Sequence, residues 1–572
     1  MGNDAPTLLE ITQLTLQELT HTQEIDRIRE CGRAALALLP TDFDLALKLA
    51  YQKLHDVPYK EVKTCWRRLY VDASLWKVVK AVDTQPSQLS TTGSDEQRGN
   101  TEEGSAWVDE VVRILDMTLI LTGAPQREEL VELWFAALKA VLTPLGRNCS
   151  VDVDTSEPPC KKRKLSFSHQ SSRTPARFLT ALPDPSPSLR HAIPRTKELS
   201  LEAFQKRVGD ADVHTPVIIE GAIQHWPALE ERPWNNPDYL LEQTLGGRRL
   251  IPVEVGKSYT DESWGQRITT FRDFMETYML DGRAEVVSTT THNDGVNGPD
   301  LDGTHGSETP TSTPTGYLAQ HDLFAQIPSL RADISIPDYC YVEPAPSPHL
   351  THVKPVPKLE EPLLNAWFGP TGTVSPLHTD PYHNILAQVV GYKYVRLYAP
   401  EETKRLYPRG MEGGGVDMSN TSRVDLDEGM GVLPEMSCWE GEEVSSERRR
   451  EFEEEFPDFK NAQYIEVWED ISEREKKESS ESELILKRGP SFYSNAPWLA
   501  SHLIVYLFSI YSTNAPFPNG TPIAYTPSPT RSIPSHPLPS PFPSPKSRTN
   551  SIPDNQLLAL PKTTPQIPHP LI

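Results

Sequence analysis

Residues Asn365–Pro400 read N-A-W-F-G-P-T-G-T-V-S-P-L-H-T-D-P-Y-H-N-I-L-A-Q-V-V-G-Y-K-Y-V-R-L-Y-A-P. Two apolar runs flank a short polar segment that holds His378 and Asp380. In an extended strand, residues two apart point to the same side. An extended His378-Thr379-Asp380 therefore aims an imidazole and a carboxylate into one space and turns Thr379 away. These are two of the three donors in the facial triad that holds non-haem Fe(II) with open positions. A His-x-Asp alone also arises by chance in solvated turns, so its neighbours decide. Ile385 to Tyr398 is rich in Val, Ile, Leu and Tyr and predicts one strand buried on both faces. Lys393 lies inside it. Lysine is rarely buried without a partner, so Lys393 either faces an anionic ligand or snorkels out at the strand end.

The pattern W-F-G-P-x-G-x-x-S-P-L-H-x-D-P from Trp367, followed by N-x-L-x-Q-V-x-G-x-K-Y-x-R-L-Y from Asn384, resembles the JmjC family of Fe(II)- and 2-oxoglutarate-dependent oxygenases. Further stretches agree, in order along the chain: P-V-I-I-E-G-A-I-Q-H-W-P from Pro216, I-P-V-E-V-G-K-S-Y-T-D-E-S-W from Ile251, and G-Y-L-A-Q-H-D-L-F-A-Q-I-P from Gly316. D-I-S-I-P-D-Y-C from Asp333, Y-P-R-G from Tyr407 and N-T-S-R-V-D from Asn420 complete the match, which covers Leu199 to Gly489. The resemblance implies a cupin barrel, the double-stranded β-helix. It implies His378 and Asp380 as the first two iron ligands and Lys393 as partner of the distal carboxylate of 2-oxoglutarate. Tyr317, Ser375 and Asn384 stand where the family hydrogen-bonds its cosubstrate, and Gln320 and Trp367 where substrate contacts are expected. The implied chemistry consumes 2-oxoglutarate and O2, yields succinate and CO2, and oxidises an unactivated C–H bond. Within this branch the implied outcome is arginyl hydroxylation or demethylation of methyl-lysine on histone tails, since both begin as hydroxylation. A metal cupin working without 2-oxoglutarate is disfavoured by Lys393 in its matching position.

The chain has 572 residues, enough for two or three domains. Its net charge of −23 opposes binding to nucleic acid phosphate and is compatible with a basic protein or peptide substrate, although solvated acidic loops give the same balance. The 6 Cys show no CxxC spacing, so neither a zinc site nor a disulfide framework is read, and a reducing compartment is expected. No secretory leader or membrane-spanning run is read.

The expected fold class is α+β, with an all-α domain over 1–147, a disordered basic, Pro/Ser-rich linker over 148–197, a JmjC cupin domain over 198–490 and a non-homologous, disordered Pro/Ser-rich tail over 491–572. Apolar residues recur at helical spacing at Ile25, Ile28, Ala35 and Leu36, and again at Val62, Trp66, Leu69, Tyr70, Ala73 and Trp76. Trp107 to Thr122 and Arg127 to Leu142 predict two more helices. Y-K-E-V-K-T-C-W-R-R-L-Y and V-R-I-L-D-M-T-L-I-L-T-G also resemble the family's helical N-terminal region. The linker carries Pro158-Pro159-Cys160-Lys161-Lys162-Arg163-Lys164, a basic cluster of the kind read by nuclear import receptors, or an ordinary solvated charge run. Two polar insertions, Ser288 to Thr315 and the acidic Asp425 to Glu455, are expected to be disordered loops.

The family's third iron ligand is a His in a strand of the kind I-P-x-x-W-W-H, soon after a glycine turn. Here Leu484-Ile485-Leu486-Lys487-Arg488-Gly489 fits the approach and the resemblance then stops, so the last barrel strands are expected to be missing or garbled. Back-translation of Phe492 to His502, read one base out of frame, permits F-I-P-M-L-H-G-W-H-H, with the Gly forced by Trp498. A frame change or mis-splicing near Gly489 accounts for this. The competing reading is a divergent end with His502 as substitute ligand. A further alternative is a catalytically dead JmjC protein that acts as an interaction module through its helical domain.

Overall fold

Helices begin where caps and apolar spacing agree. Thr7 opens Leu8–Thr20 as a capping box: its hydroxyl accepts from the Glu10 amide at 3.2 Å, and the Glu10 carboxylate accepts from the Thr7 amide at 2.8 Å. Asp42 caps Phe43–His55 through the Leu45 amide. The computed structural model describes residues 5–21, 25–84, 106–143, 177–178, 186–197, 199–210, 216–256, 260, 264–280, 315–344, 361–370, 372–380, 382–412, 417–439, 445–470, 483–487 and 501–504. For residues 60, 320, 469–470, 483–487 and 501–504 it describes backbone alone. Residues 288–314 of the first insertion, most of the linker with its basic cluster, and most of the tail lie outside the described residues.

Thr64–Asp83 is the central helix of the N-terminal region. It is buried nearly all round, between a core shared with Phe43–His55 and one shared with Ala106–Thr122 and Glu128–Leu142. Arg68 and Asp72 are fully buried; Arg68 also reaches Asp26, and Arg127 binds Asp72 and Glu18, which staples the first helix to the last. Ile25, Ile28, Ala35 and Leu36, read at helical spacing, do not lie on one helix. Gly32, with φ 86°, separates a 3-10 turn, Arg27–Cys31, from Arg33–Leu38; Ile28 and Ala35 are buried but Ile25 is exposed.

The strands follow: β1 Arg195–Lys197, β2 Val217–Glu220, β3 Leu250–Val255, β4 Gly265–Thr270, β5 Gly316–His321, β6 Ala366–Phe368, β7 His383–Ala387, β8 Tyr392–Tyr398, β9 Tyr464–Asp470, β10 Glu483–Lys487 and β11 Ser501–Ile504. One sheet has the order β1-β2-β10-β7-β11, a second β4-β3-β5-β6, and β8 pairs β9. The α+β class expected from the sequence holds. The continuous strand expected over Ile385 to Tyr398 is instead two, β7 and β8, in different sheets. Gly391, with φ 77°, lies in the turn between them. Strands also occur where disorder was expected: β1, at the end of the linker, runs parallel to β2, and β11, within the tail, runs parallel to β7.

Alternating side chains build two cores. Ile219, Ile251, Val253, Leu318, Ala366 and Phe368 belong to the larger one. Ile218, Tyr317, Trp367, Leu386, Val395, Leu397 and Val467 form the smaller one, drawn from β2, β5, β6, β7, β8 and β9, hence from all three sheets. Asp425 to Glu455 is not the loop expected. It holds helices Leu426–Val432 and Ser446–Glu455, and Val432, Leu433, Met436 and Phe452 pack with Leu377 and Tyr398. Among the described residues Glu428, Glu447, Glu451 and Glu454 are exposed on the helices, and the apolar residues between the charges carry the packing.

The helical and strand-rich regions share a buried contact. Asp116, on Ala106–Thr122, binds Arg249 beside β3 at 2.7 Å, and both side chains are almost fully buried. None of the described helices is long and apolar enough to cross a membrane.

Candidate functional site

The segment Leu377–Asp380 pairs with Asn420–Ser422. The Ser422 amide donates to Leu377 O at 2.8 Å, the Thr379 amide to Asn420 O at 2.8 Å, and His378 bridges Thr421. This pairing extends the His-Thr-Asp triplet. Thr379 is buried on one side, while His378 and Asp380 come together on the other, with Nε2 and Oδ1 3.5 Å apart.

Each donor is held from behind. His378 Nδ1 lies 2.7 Å from Pro376 O, the geometry of an Nδ1–H donating to a carbonyl, which leaves the lone pair on Nε2. Asn384 Nδ2 donates to Asp380 Oδ2 at 2.5 Å, which turns Oδ1 toward the imidazole. Such outer contacts orient metal ligands. Adjacent donors on one octahedral ion, with bonds of about 2.1 Å, are about 3 Å apart. The pair therefore fits an ion bound by one imidazole and one carboxylate. Among the described residues, no third His, Cys, Asp or Glu joins them.

Four of the remaining candidates, Tyr317, Trp367, Asn384 and Lys393, face the smaller core. Tyr317 and Trp367 are buried in it. Asn384 alternates with Leu386 on β7 in step, and Lys393 with Val395 and Leu397 on β8, so all four candidates share the inner face. Lys393 is half-buried, and its backbone registers with Glu469. Gly369 makes room for the Tyr317 ring: a Cβ there would lie 2.6 Å from Tyr317 Cδ2 and 3.1 Å from Thr373 Cγ2. Ser375 is exposed, on the approach to His378. Gln320 lies on β5 next to a register irregularity, with backbone alone described. His502, on β11, registers with Asn384, again as backbone alone.

The sequence reading missed Glu254. It sits directly across from Tyr317 in the β3–β5 pair and so shares that face. Burial raises its carboxyl pKa, against the hydrogen bonds of Trp264 and Gln266. Trp264 Nε1 donates to Glu254 Oε2 at 3.4 Å. The available signal was the carboxylate within I-P-V-E-V, where the flanking residues are apolar.

Comparison with known proteins gives consistent matches. A family model described as a cupin-like domain matches residues 203–468. The chain is 34% identical over 384 residues to lysine-specific demethylase 8 of Danio rerio, covering 67% of this chain and 74% of that protein. It is 32% identical over 396 residues to lysine-specific demethylase JMJ30 of Arabidopsis thaliana, covering 67% and 73%. It is 37% identical over 233 residues to Jumonji C domain-containing protein 5 of Drosophila melanogaster, covering 41% and 47%.

Proposed function

The chain belongs to the JmjC family of cupin-like oxygenases, and on that premise we propose an Fe(II)- and 2-oxoglutarate-dependent dioxygenase acting on protein side chains, built on a double-stranded β-helix. The convergence of His378 Nε2 and Asp380 Oδ1, each held from behind by its own partner, carries the reading. When bound, Fe(II) and 2-oxoglutarate with O2 supply oxidative decarboxylation and oxidation of an unactivated C–H bond. His378 and Asp380 hold the metal, and Asn384 keeps Asp380 aimed. Lys393 binds the distal carboxylate of 2-oxoglutarate by a charge-assisted hydrogen bond, with Tyr317 and Ser375 as further partners. The apolar wall of Trp367, Leu386 and Val395 excludes water from the reacting centre. Glu254 adds a carboxyl group on the Tyr317 face whose burial disfavours its charged form; a lysine or arginine side chain beside it offsets that burial.

The substrate class proposed is a basic protein, a methyl-lysine histone tail or an arginine-containing protein, met in the nucleus; nucleic acid and membrane are not proposed as partners. The relatives named as lysine-specific demethylases favour the methyl-lysine reading. Purified chain is given Fe(II), 2-oxoglutarate and either a trimethyl-lysine or an arginine peptide, and succinate, formaldehyde and peptide mass are read. Formaldehyde supports demethylation, and a stable gain of one oxygen supports arginyl hydroxylation. Succinate production undiminished by His378→Ala would overturn the site. His502→Ala separates two versions of the metal centre: loss of Fe(II) binding makes it the third donor, and unchanged binding leaves a two-donor site.

A further inference from the structure

The carboxylate of Asp116 lies in the helical region, and its hydrogen bonds reach into the strand-rich one. It accepts from Arg249 Nη2 at 2.7 Å and from Arg249 Nε at 2.9 and 3.0 Å. It also accepts from the Leu250 amide, the first residue of β3, at 2.7 Å and from Gln326 Nε2 at 2.7 Å. The same Gln326 nitrogen donates to Leu250 O at 2.7 Å, and Arg249 Nη2 donates to Gln326 O at 2.7 Å. Gln326 Oε1 lies 2.5 Å from His321 Nε2, the last residue of β5. One buried carboxylate thus grips the start of β3 and, through Gln326, the end of β5.

Those two strands pair at the site. Glu254 registers with Tyr317, and Val255 with Gly316. The helical side contributes more than one contact. The Arg249 guanidinium stacks 3.6 Å over Phe135, Arg248 binds Asp109 at 2.8 Å, and Leu245 belongs to the helical core. In some proteins a fully paired buried charge serves to fix one arrangement, and the groups that Asp116 joins here are the ends of the β3–β5 ladder that carries Tyr317 and Glu254.

We propose that Asp116 is a positioning residue of the oxygenase: the helical region sets the β3–β5 ladder and thereby the Tyr317 side of the cosubstrate pocket. This rests on the reading of Tyr317 given above. It makes the helices a working part of the enzyme and not a separate recognition module.

The test uses the full 572-residue chain. Asp116→Asn removes the charge while keeping the shape. Gln326→Met cuts the relay from Asp116 to His321 and leaves the Asp116–Arg249 pair in place, which keeps the test open if the first variant folds poorly. Amide hydrogen exchange is followed by mass spectrometry over Leu250–Val255 and Gly316–His321, with Tyr392–Tyr398 and Thr64–Asp83 as references. Exchange in β3 and β5 is expected to rise about tenfold, with the references unchanged. Calorimetry with Mn(II) and 2-oxoglutarate is expected to show affinity weakened about fivefold. Tyr317→Phe is the control, and should weaken 2-oxoglutarate without changing exchange. Unchanged exchange in both variants, or a rise equal in all segments, would overturn the proposal. If Tyr317→Phe leaves 2-oxoglutarate binding unchanged, the reading of the pocket fails, and the exchange pattern still decides the role of Asp116.

Discussion

The two sides of the candidate site are built differently. The inner wall, with Tyr317, Trp367, Asn384 and Lys393, is placed by strand alternation and register across three sheets. The opposite side, Ser375 to Asp380, proposed above to hold the metal, is a short extended segment held by two backbone bonds to Asn420–Ser422 and by contacts behind His378 and Asp380. A wall set by register resists local change, because moving one residue moves a ladder. A segment set by a few local bonds can fail alone. Substitutions in the wall should therefore register in folding stability, and substitutions in the segment in metal binding with the fold intact.

The largest effect breaks the segment. His378→Ala should lower turnover by more than about 100-fold, since even outer-contact losses cost 10–100-fold at metal sites. Metal content by mass spectrometry should fall while the melting temperature of the apo protein stays put. Next comes Lys393→Ala. Loss of one partner of a charge-assisted contact costs about 2 kcal/mol, or roughly thirtyfold in apparent 2-oxoglutarate affinity, with Fe(II) affinity little changed. An unaltered 2-oxoglutarate requirement would remove Lys393 from the wall's function. Gly369→Ala sharpens the contrast, because its Cβ would press on Tyr317 and Thr373. Overpacking of this kind costs about 1–3 kcal/mol and should lower the denaturation midpoint before it touches metal binding.

A smaller effect concerns pH. Burial lowers the pKa of His321 at the end of the wall, against the opposing pull of Gln326, Asp322 and Asp116. Its folded pKa lies below the unfolded one, so its contribution to stability is present above about pH 6.5 and is lost as pH falls below that value. His321→Gln should flatten the acid side of the stability profile between about pH 7 and 5. The smallest effect is Asn420→Ala. Its Nδ2 donates to Thr379 O at 3.3 Å, and its loss should cost about 0.5–1 kcal/mol in a urea titration.

The sequence made the helices and the His-Thr-Asp geometry readable, because both depend on short-range spacing. Trp66, Leu69, Ala73 and Trp76 lie on one helix as their period required. What it hid was non-local. The turn at Gly391 sends β7 and β8 to different sheets; that glycine is the one mark of the division inside Ile385 to Tyr398, and it does not say that the strands part company. Acidic content over Asp425 to Glu455 hid Met430, Val432, Leu433 and Phe452, which suffice to bury one side of two helices. Asp116 lay in an apolar run with no sign that its partner, Arg249, stood 133 residues later. No third His, Cys, Asp or Glu joins His378 and Asp380 among the described side chains, and His502, the candidate the sequence offered, is described by its backbone alone.

The order of strands in the five-stranded sheet has a consequence for how the protein is made. Ile218 in β2 pairs with Ile485 in β10, nearly the whole catalytic region later in the chain. On a ribosome adding about 5–20 residues per second, β2 emerges tens of seconds before that partner exists. Through that interval Val217, Ile218 and Ile219 form an apolar edge open to strand addition by another chain. The helical region and the β3–β6 sheet can be complete by then. Newly made protein should thus pass through a half-assembled state with one exposed edge, and demand for a chaperone should peak there, after residue 368 and before residue 483.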